Sequence, residues 1–114
     1  MHELSICAGM LRQVEELAIA HHAKRVTHIH IQVGPLSGVD PELLANAYSI
    51  ARAGTLAATA ELTVEVLPIR VRCTLCNAET ETTPNNLVCA NCGNWHTQLQ
   101  SGDQMMLRNV ELII

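Results

Sequence analysis

Cys73-Thr74-Leu75-Cys76, then residues 77–88, then Cys89-Ala90-Asn91-Cys92 is the stretch that decides how this chain folds. Each Cys-x-x-Cys makes a tight turn that points two thiolates at one centre. Two such turns on neighbouring hairpins complete a tetrahedral four-sulphur site. Closed four-thiolate sites on ribbons usually hold a structural Zn(II), with iron in a rubredoxin-like site as the alternative for the same ligands. Redox chemistry is disfavoured, because neither pair sits in the βαβ setting that a redox Cys-x-x-Cys needs. With sulphur in all four positions no place is left for a substrate, so the metal is structural rather than catalytic. Within the module, residues 79–83 and 95–100 read as short strands, with Asn85-Asn86 and Gly93-Asn94 as turns. Trp95 is expected to shield the cluster or to pack against the rest of the chain. His96, the module's only imidazole, reads either as an exposed strand residue or as a group within reach of a metal.

On either side of the module the periodicity changes. Residues 61–67 alternate, with Leu62, Val64 and Val66 opposed to Glu61, Thr63 and Glu65. Residues 106–114 do likewise, with Arg108, Val110, Leu112 and Ile114 against Asn109 and Glu111. Residues 25–33 form a third alternating run, placing Ile29, Ile31 and Val33 on one face and His28, His30 and Gln32 on the other. His28 and His30 thus project side by side at a spacing that can hold a metal. No third ligand is visible near them in the sequence, so they read as solvent-facing.

Residues 4–22 instead repeat at helical spacing. Leu4, Cys7, Leu11, Val14 and Ala18 form the stripe, Met10 and Leu17 widen it, and Arg12, Gln13, Glu15 and Glu16 lie off it. Cys7 is a small core residue on that face, and His21 and His22 suit the helix C-terminus when protonated. After the loop Gly34-Pro35-Leu36-Ser37-Gly38, Asp40-Pro41-Glu42 opens a second helix with an N-cap, a proline at the first helical position and an acid in the first turn. Leu43, Leu44, Ala47, Ile50 and Ala51 supply its apolar face, and Gly54 marks its end. The fold class is α+β: two helices on a three-stranded sheet, with a zinc-ribbon module inserted before the last strand.

Composition narrows the function. At 114 residues the chain is one domain, or one domain carrying a small metal-stapled module. Apolar residues make up 48% and aromatics only 2%, namely Tyr48 and Trp95, so the core is built from aliphatic side chains and gains from a staple. The net charge is −4 and the seven Lys and Arg are scattered, which argues against nucleic acid as a partner. No run approaches the ~18 apolar residues of a membrane span, and no basic leader precedes an apolar stretch. A soluble, cytoplasmic protein is expected, and in that reducing compartment the five cysteines read as metal ligands or free thiols. No Ser/His/Asp arrangement, phosphate-cradling glycine loop or paired-carboxylate motif points to an enzyme.

The start, Met1-His2-Glu3, supplies a second metal chemistry. A free α-amine, the deprotonatable His2 amide and the His2 imidazole can close two fused chelate rings round one ion, and nitrogen donors in a square plane suit Ni(II) or Cu(II). Asp40 is explained as a helix cap and could also be a carboxylate near that metal.

With Met1-His2-Glu3, the Gly34-Pro35-Leu36-Ser37-Gly38-Val39-Asp40 loop and the pairs Cys73/Cys76 and Cys89/Cys92, the chain closely resembles the HypA/HybF family of hydrogenase nickel-incorporation proteins over essentially its whole length. The resemblance implies a nickel metallochaperone that helps load Ni(II) into the large subunit of nickel–iron hydrogenase together with the GTPase HypB. It implies a nickel domain at 1–70 plus 101–114 and a zinc ribbon at 71–100. Nickel chemistry maps to Met1 and His2, with Glu3 and Asp40 as neighbouring acids that ligate or support; Ni(II) is the cargo and Zn(II) the structural ion. Some relatives carry His beside the cysteine pairs, whereas here Asn77-Ala78 follow the first pair and His96 is the only imidazole after the second. A zinc-ribbon interaction adaptor without nickel delivery is the competing reading. A homodimer is compatible with the sequence, and urease maturation is not legible in it.

Overall fold

The computed structural model describes residues 2–114, so the expected role of Met1 lies outside the described residues. Helix α1 (His2–Ala20) buries Cys7, Met10, Leu11, Val14 and Ala18, the stripe that helical spacing predicts. Leu17, expected to widen that stripe, is left 39% exposed at its margin. The helix stops at His22, which adopts the left-handed conformation (φ 56°). The Ala23 amide then reaches back to the Ala18 carbonyl (2.8 Å) and the His22 amide to Ile19 (3.0 Å), satisfying carbonyls that the helix end would otherwise strand.

Strand β1 (Arg25–Val33) follows and is the centre of the first sheet. Its alternation is broken once: the register shift between Val26 and His28 lets Val26 and Ile29, three positions apart, face the same side. Helix α2 (Pro41–Ala51) begins where the sequence places it, with the Asp40 carboxylate accepting from the Glu42 and Leu43 amides. Its buried side differs from expectation. Leu43 and Ile50 are 51% and 72% exposed, and the inward face is Leu44, Ala47 and Tyr48. Tyr48 goes in because its hydroxyl finds a partner, donating to the Ala60 carbonyl at 2.7 Å, while Arg52 lies 5.4 Å over its ring.

The chain returns as β2 (Glu61–Val66), parallel to β1. The last strand, β6 (Met105–Ile113), pairs antiparallel on the other side, giving the order β2-β1-β6. Val26, Ile29, Ile31 and Val33 join the buried residues of α1 and α2 in one core, so both helices cover one face of this sheet. The other face is open and carries His28, His30 and Gln32.

Between β2 and β6 lies a second three-stranded sheet: β3 (Ile69–Cys73), β4 (Glu79–Thr82) and β5 (Thr97–Ser101), in the order β4-β3-β5 and antiparallel throughout. Strand β3 was not anticipated, and β5 starts two residues later than expected. The sheets meet at a pair of glycines. The Gly34 amide donates to the Gln104 carbonyl and the Leu36 amide to Gly102, each at 2.7 Å, so the loop leaving β1 is laced to the segment entering β6. Gly102 has a φ of +112°, and its missing Cβ would lie 2.9 Å from the Ile69 side chain, where only glycine fits.

Candidate metal centres

The ribbon brings the four cysteines together. Their Sγ atoms all lie within 4.8 Å of one another, with Cys73 to Cys92 at 3.5 Å and Cys76 to Cys89 at 3.7 Å. A tetrahedral ion with bonds of ~2.3 Å to sulphur sets sulphurs roughly 3.8 Å apart, so the donor set fits zinc. Each pair sits on a turn whose next residue is left-handed, Asn77 (φ 62°) after Cys76 and Gly93 (φ 79°) after Cys92. These are the residue types that tolerate that conformation. The amides of Asn77 and Gly93 close the turns onto the carbonyls of Cys73 and Cys89.

Amide donors surround the sulphurs. Cys73 Sγ accepts from the Leu75 and Cys76 backbones (3.3 and 3.4 Å) and from the Asn94 side chain (3.5 Å). The Asn91 side chain donates to Cys76 (3.6 Å) and the Cys92 amide to Cys89 (3.5 Å). The Cys76 amide and the Asn94 side chain pull the Cys73 thiol down to about 6, and the Ala78 amide and Asn91 lower Cys76. Cys92 is also pulled down by the Asn94 amide, but Cys73, burial, Cys76 and Cys89 together push it up to about 12. Four sulphurs this close cannot all carry charge until a dication neutralises them. Zn(II) held by Cys73, Cys76, Cys89 and Cys92 supplies a redox-inert cross-link between the two turns.

Trp95 does not shield this cluster: it is 74% exposed and packs its ring on His96, centroids 4.0 Å apart. Among the described residues the four cysteines are the one group of three or more metal-ligating side chains within that 4.8 Å spacing, so His96 is not part of it.

In the first sheet's half of the chain, the first turn of α1 meets the loop before α2. His2 Nε2 lies 2.9 Å from the Gly38 carbonyl and 3.0 Å from Glu3 Oε2. Glu3 is buried (5% exposed) and its Oε2 accepts from the Asp40 amide at 3.3 Å. Asp40 spends Oδ1 on capping α2. The His2 ring itself is exposed, with 62% of its side chain open to solvent. The structure therefore brings His2, Glu3 and Asp40 together and adds the Gly38 carbonyl, a backbone group that no side-chain pattern reveals. The one signal for it is the Gly34–Gly38 loop itself, since Gly38 is left-handed (φ 79°).

His28 and His30 keep polar company on the open sheet face. His28 Nε2 is 2.6 Å from Thr63 Oγ1, and His30 Nε2 is 3.0 Å from Glu65 Oε1. The Gln32 amide and His30 hold the Glu65 carboxyl below the usual carboxylate range. No described helix is long and apolar enough to cross a membrane.

The family model described as hydrogenase/urease nickel incorporation, metallochaperone, HypA matches residues 1–112. Hydrogenase maturation factor HypA of Nitrosospira multiformis is 42% identical over 113 residues, 99% of this chain and 98% of the relative. That of Aquifex aeolicus is 39% identical over 112 residues, 98% and 97% of the two chains. The solution structure of the Ni metallochaperone HypA from Helicobacter pylori superposes with a TM-score of 0.67 at 20% identity, covering 97% of each chain, which establishes a shared fold. Fold, four-cysteine ribbon and full-length similarity converge: the chain belongs to the HypA family of hydrogenase and urease nickel-incorporation metallochaperones.

Proposed function

We propose that this chain takes up Ni(II) through the Met1 amine, the His2 amide nitrogen and His2 Nδ1, and passes it to the large subunit of nickel–iron hydrogenase with the GTPase HypB as partner. The observation that carries this reading is the contact of His2 Nε2 with the Gly38 carbonyl at 2.9 Å. A carbonyl can only accept, so Nε2 carries a proton, and in the neutral ring the lone pair then lies on Nδ1. Nδ1 is the nitrogen that closes a six-membered ring with the residue's own amide, and a metal-binding imidazole commonly fixes its other nitrogen on a carbonyl or carboxylate. The His2 amide lies in the first helical turn, where N–H groups have no intrahelical acceptor, so its deprotonation breaks no helix hydrogen bond.

Glu3 then works as a support: its buried carboxylate bridges His2 and the Asp40 amide, and Asp40 fixes the loop by capping α2. Three nitrogens leave one corner of the square plane for a partner's ligand, the route by which cargo is handed over without turnover. We place the protein in the cytoplasm, with a nickel domain at 1–70 plus 101–114 and a ribbon at 71–100. Two separate sheets support that division.

The test is Ni(II) titration of tag-free, zinc-loaded protein, following the visible band of square-planar Ni(II). The parent should bind one equivalent, and both His2→Ala and a variant with one residue added before Met1 should lose the band with zinc content unchanged. A band of parental strength in either variant overturns the assignment.

A further inference from the structure

His28 and His30 lack a third ligand in the sequence, and the fold brings a carboxylate beside His30. Parallel pairing of β1 with β2 sets His30 opposite Thr63 and Gln32 opposite Glu65. The imidazoles lean one step along the strand, so that His28 Nε2 meets Thr63 Oγ1 at 2.6 Å and His30 Nε2 meets Glu65 Oε1 at 3.0 Å. Both rings therefore present Nε2 towards β2 from the same face of a central strand. On the other side Glu111 of β6 stands 3.9 Å from His28 Nδ1. The rings are a quarter exposed, 26% and 25%, on the face that the helices leave open.

We infer that His28, His30 and Glu65 form a second cation site, for a borderline divalent transition ion such as Ni(II) bound through nitrogen and oxygen donors. His30 Nε2 and Glu65 Oε1 are hydrogen-bonded at 3.0 Å, so the ring donates there in the metal-free protein. Moving that proton to Nδ1 frees Nε2 beside the carboxylate, and two donors at that separation subtend about a right angle at an ion ~2.1 Å from each. His28 completes the set by turning its ring from Thr63 towards the ion; two residues along a strand separate the histidines by only ~6.6 Å at the backbone, within reach of two imidazoles. The Gln32 amide, 3.2 Å from Glu65 Oε1, and Glu111 beside His28 are the outer partners that orient such ligands. The donors sit on a paired, rigid sheet, so the site needs side-chain rotation but no backbone rearrangement. Imidazole and carboxylate donors with open water positions give six-coordinate, paramagnetic Ni(II), whereas the amine–amide–imidazole plane gives a diamagnetic ion. The two sites are thus separable by spectroscopy.

The experiment uses full-length, zinc-loaded protein carrying His2→Ala, titrated with NiSO4 and followed by NMR. One equivalent should selectively broaden the signals of residues 28–32 and 63–65, with no square-planar band. Glu65→Gln, which keeps the shape and a hydrogen-bonding group, should weaken binding by at least about tenfold, the lower bound for losing even an outer-shell partner of a metal site. His28→Gln with His30→Gln should abolish the broadening while the melting temperature, checked in parallel, stays near that of the parent. Broadening elsewhere, none at millimolar nickel, or a Glu65→Gln titration equal to the parent's overturns the proposal. The terminal reading stands or falls separately, on the square-planar band of the protein with native His2.

Discussion

Replacing Gly34 by alanine tests how tightly the two sheets are joined. A Cβ at Gly34 would lie 2.2 Å from both the carbonyl carbon and the oxygen of Gly102 and 2.8 Å from the Asp103 nitrogen. Every one of these neighbours is backbone, so nothing can rotate away. Overpacking costs ~1–3 kcal/mol where neighbours yield, and the upper end applies here. Pushing the strands apart also stretches the two 2.7 Å hydrogen bonds of Gly34 and Leu36, worth about 1 kcal/mol each. The expected loss of about 3–5 kcal/mol is a large share of an ordinary domain's stability and lowers Tm by roughly 12–20 °C. The displaced loop carries the Gly38 carbonyl, so Ni(II) binding at the terminus should weaken about tenfold, as loss of an outer-shell partner does. Gly9→Ala is the matched control: its Cβ meets nothing within 4 Å, and in mid-helix alanine should raise stability by about 0.5–1 kcal/mol. Thermal unfolding and nickel titration of both variants decide the matter. A Gly34→Ala protein that melts within about 3 °C of the parent and binds nickel normally refutes the reasoning.

Cys73→Ser or Cys89→Ser should release zinc and unravel residues 69–101 while the first sheet largely survives, because a module this small has too little core to fold without its ion; full metal content with unchanged ribbon NMR signals would contradict this. Burial raises the pKa of the Cys7 thiol above its ordinary 9.0. Its contribution to stability is therefore complete below the unfolded-state pKa and is lost as the pH climbs through the higher folded value. The alkaline loss of stability should be smaller in Cys7→Ala, and Cys7 should resist alkylation at pH 8 in the native protein. Deleting the gene should leave hydrogenase present but poor in nickel, with partial recovery on added nickel; fully active enzyme under nickel limitation would count against delivery.

What sequence could convey was what repeats locally. Strand β1 was legible to the residue because its alternation is strong, and the start of α2 because Asp40-Pro41-Glu42 combines three start signals. The inward face of α2 was not. Leu43 and Ile50 are seven apart and so are Leu44 and Ala51, so two stripes satisfy the helical period, and only the hydroxyl partner of Tyr48 decides between them. Strand β3 alternates as Ile69, Val71 and Cys73 against Arg70 and Arg72, but its signal is short and ends in the cysteine that opens the module. The zinc ligands were fully legible from spacing. The Gly38 carbonyl beside His2, the Gly34–Gly102 contact and the Glu65 carboxylate beside His30 all join distant segments, and pairing at that range leaves no local trace.

The strand order β2-β1-β6 has a consequence for the protein as it leaves the ribosome. The partner of β1 on one side is made soon after it, but the partner on the other side follows the whole ribbon in the sequence. Until then a nascent chain holds the bare edge of its central strand open to any passing strand. Zinc capture by the ribbon folds the intervening segment and draws Ile69 and Gly102 into contact, which shortens the loop that β6 must close. A cell short of zinc would thus lengthen the interval in which the central strand of the first sheet can mispair.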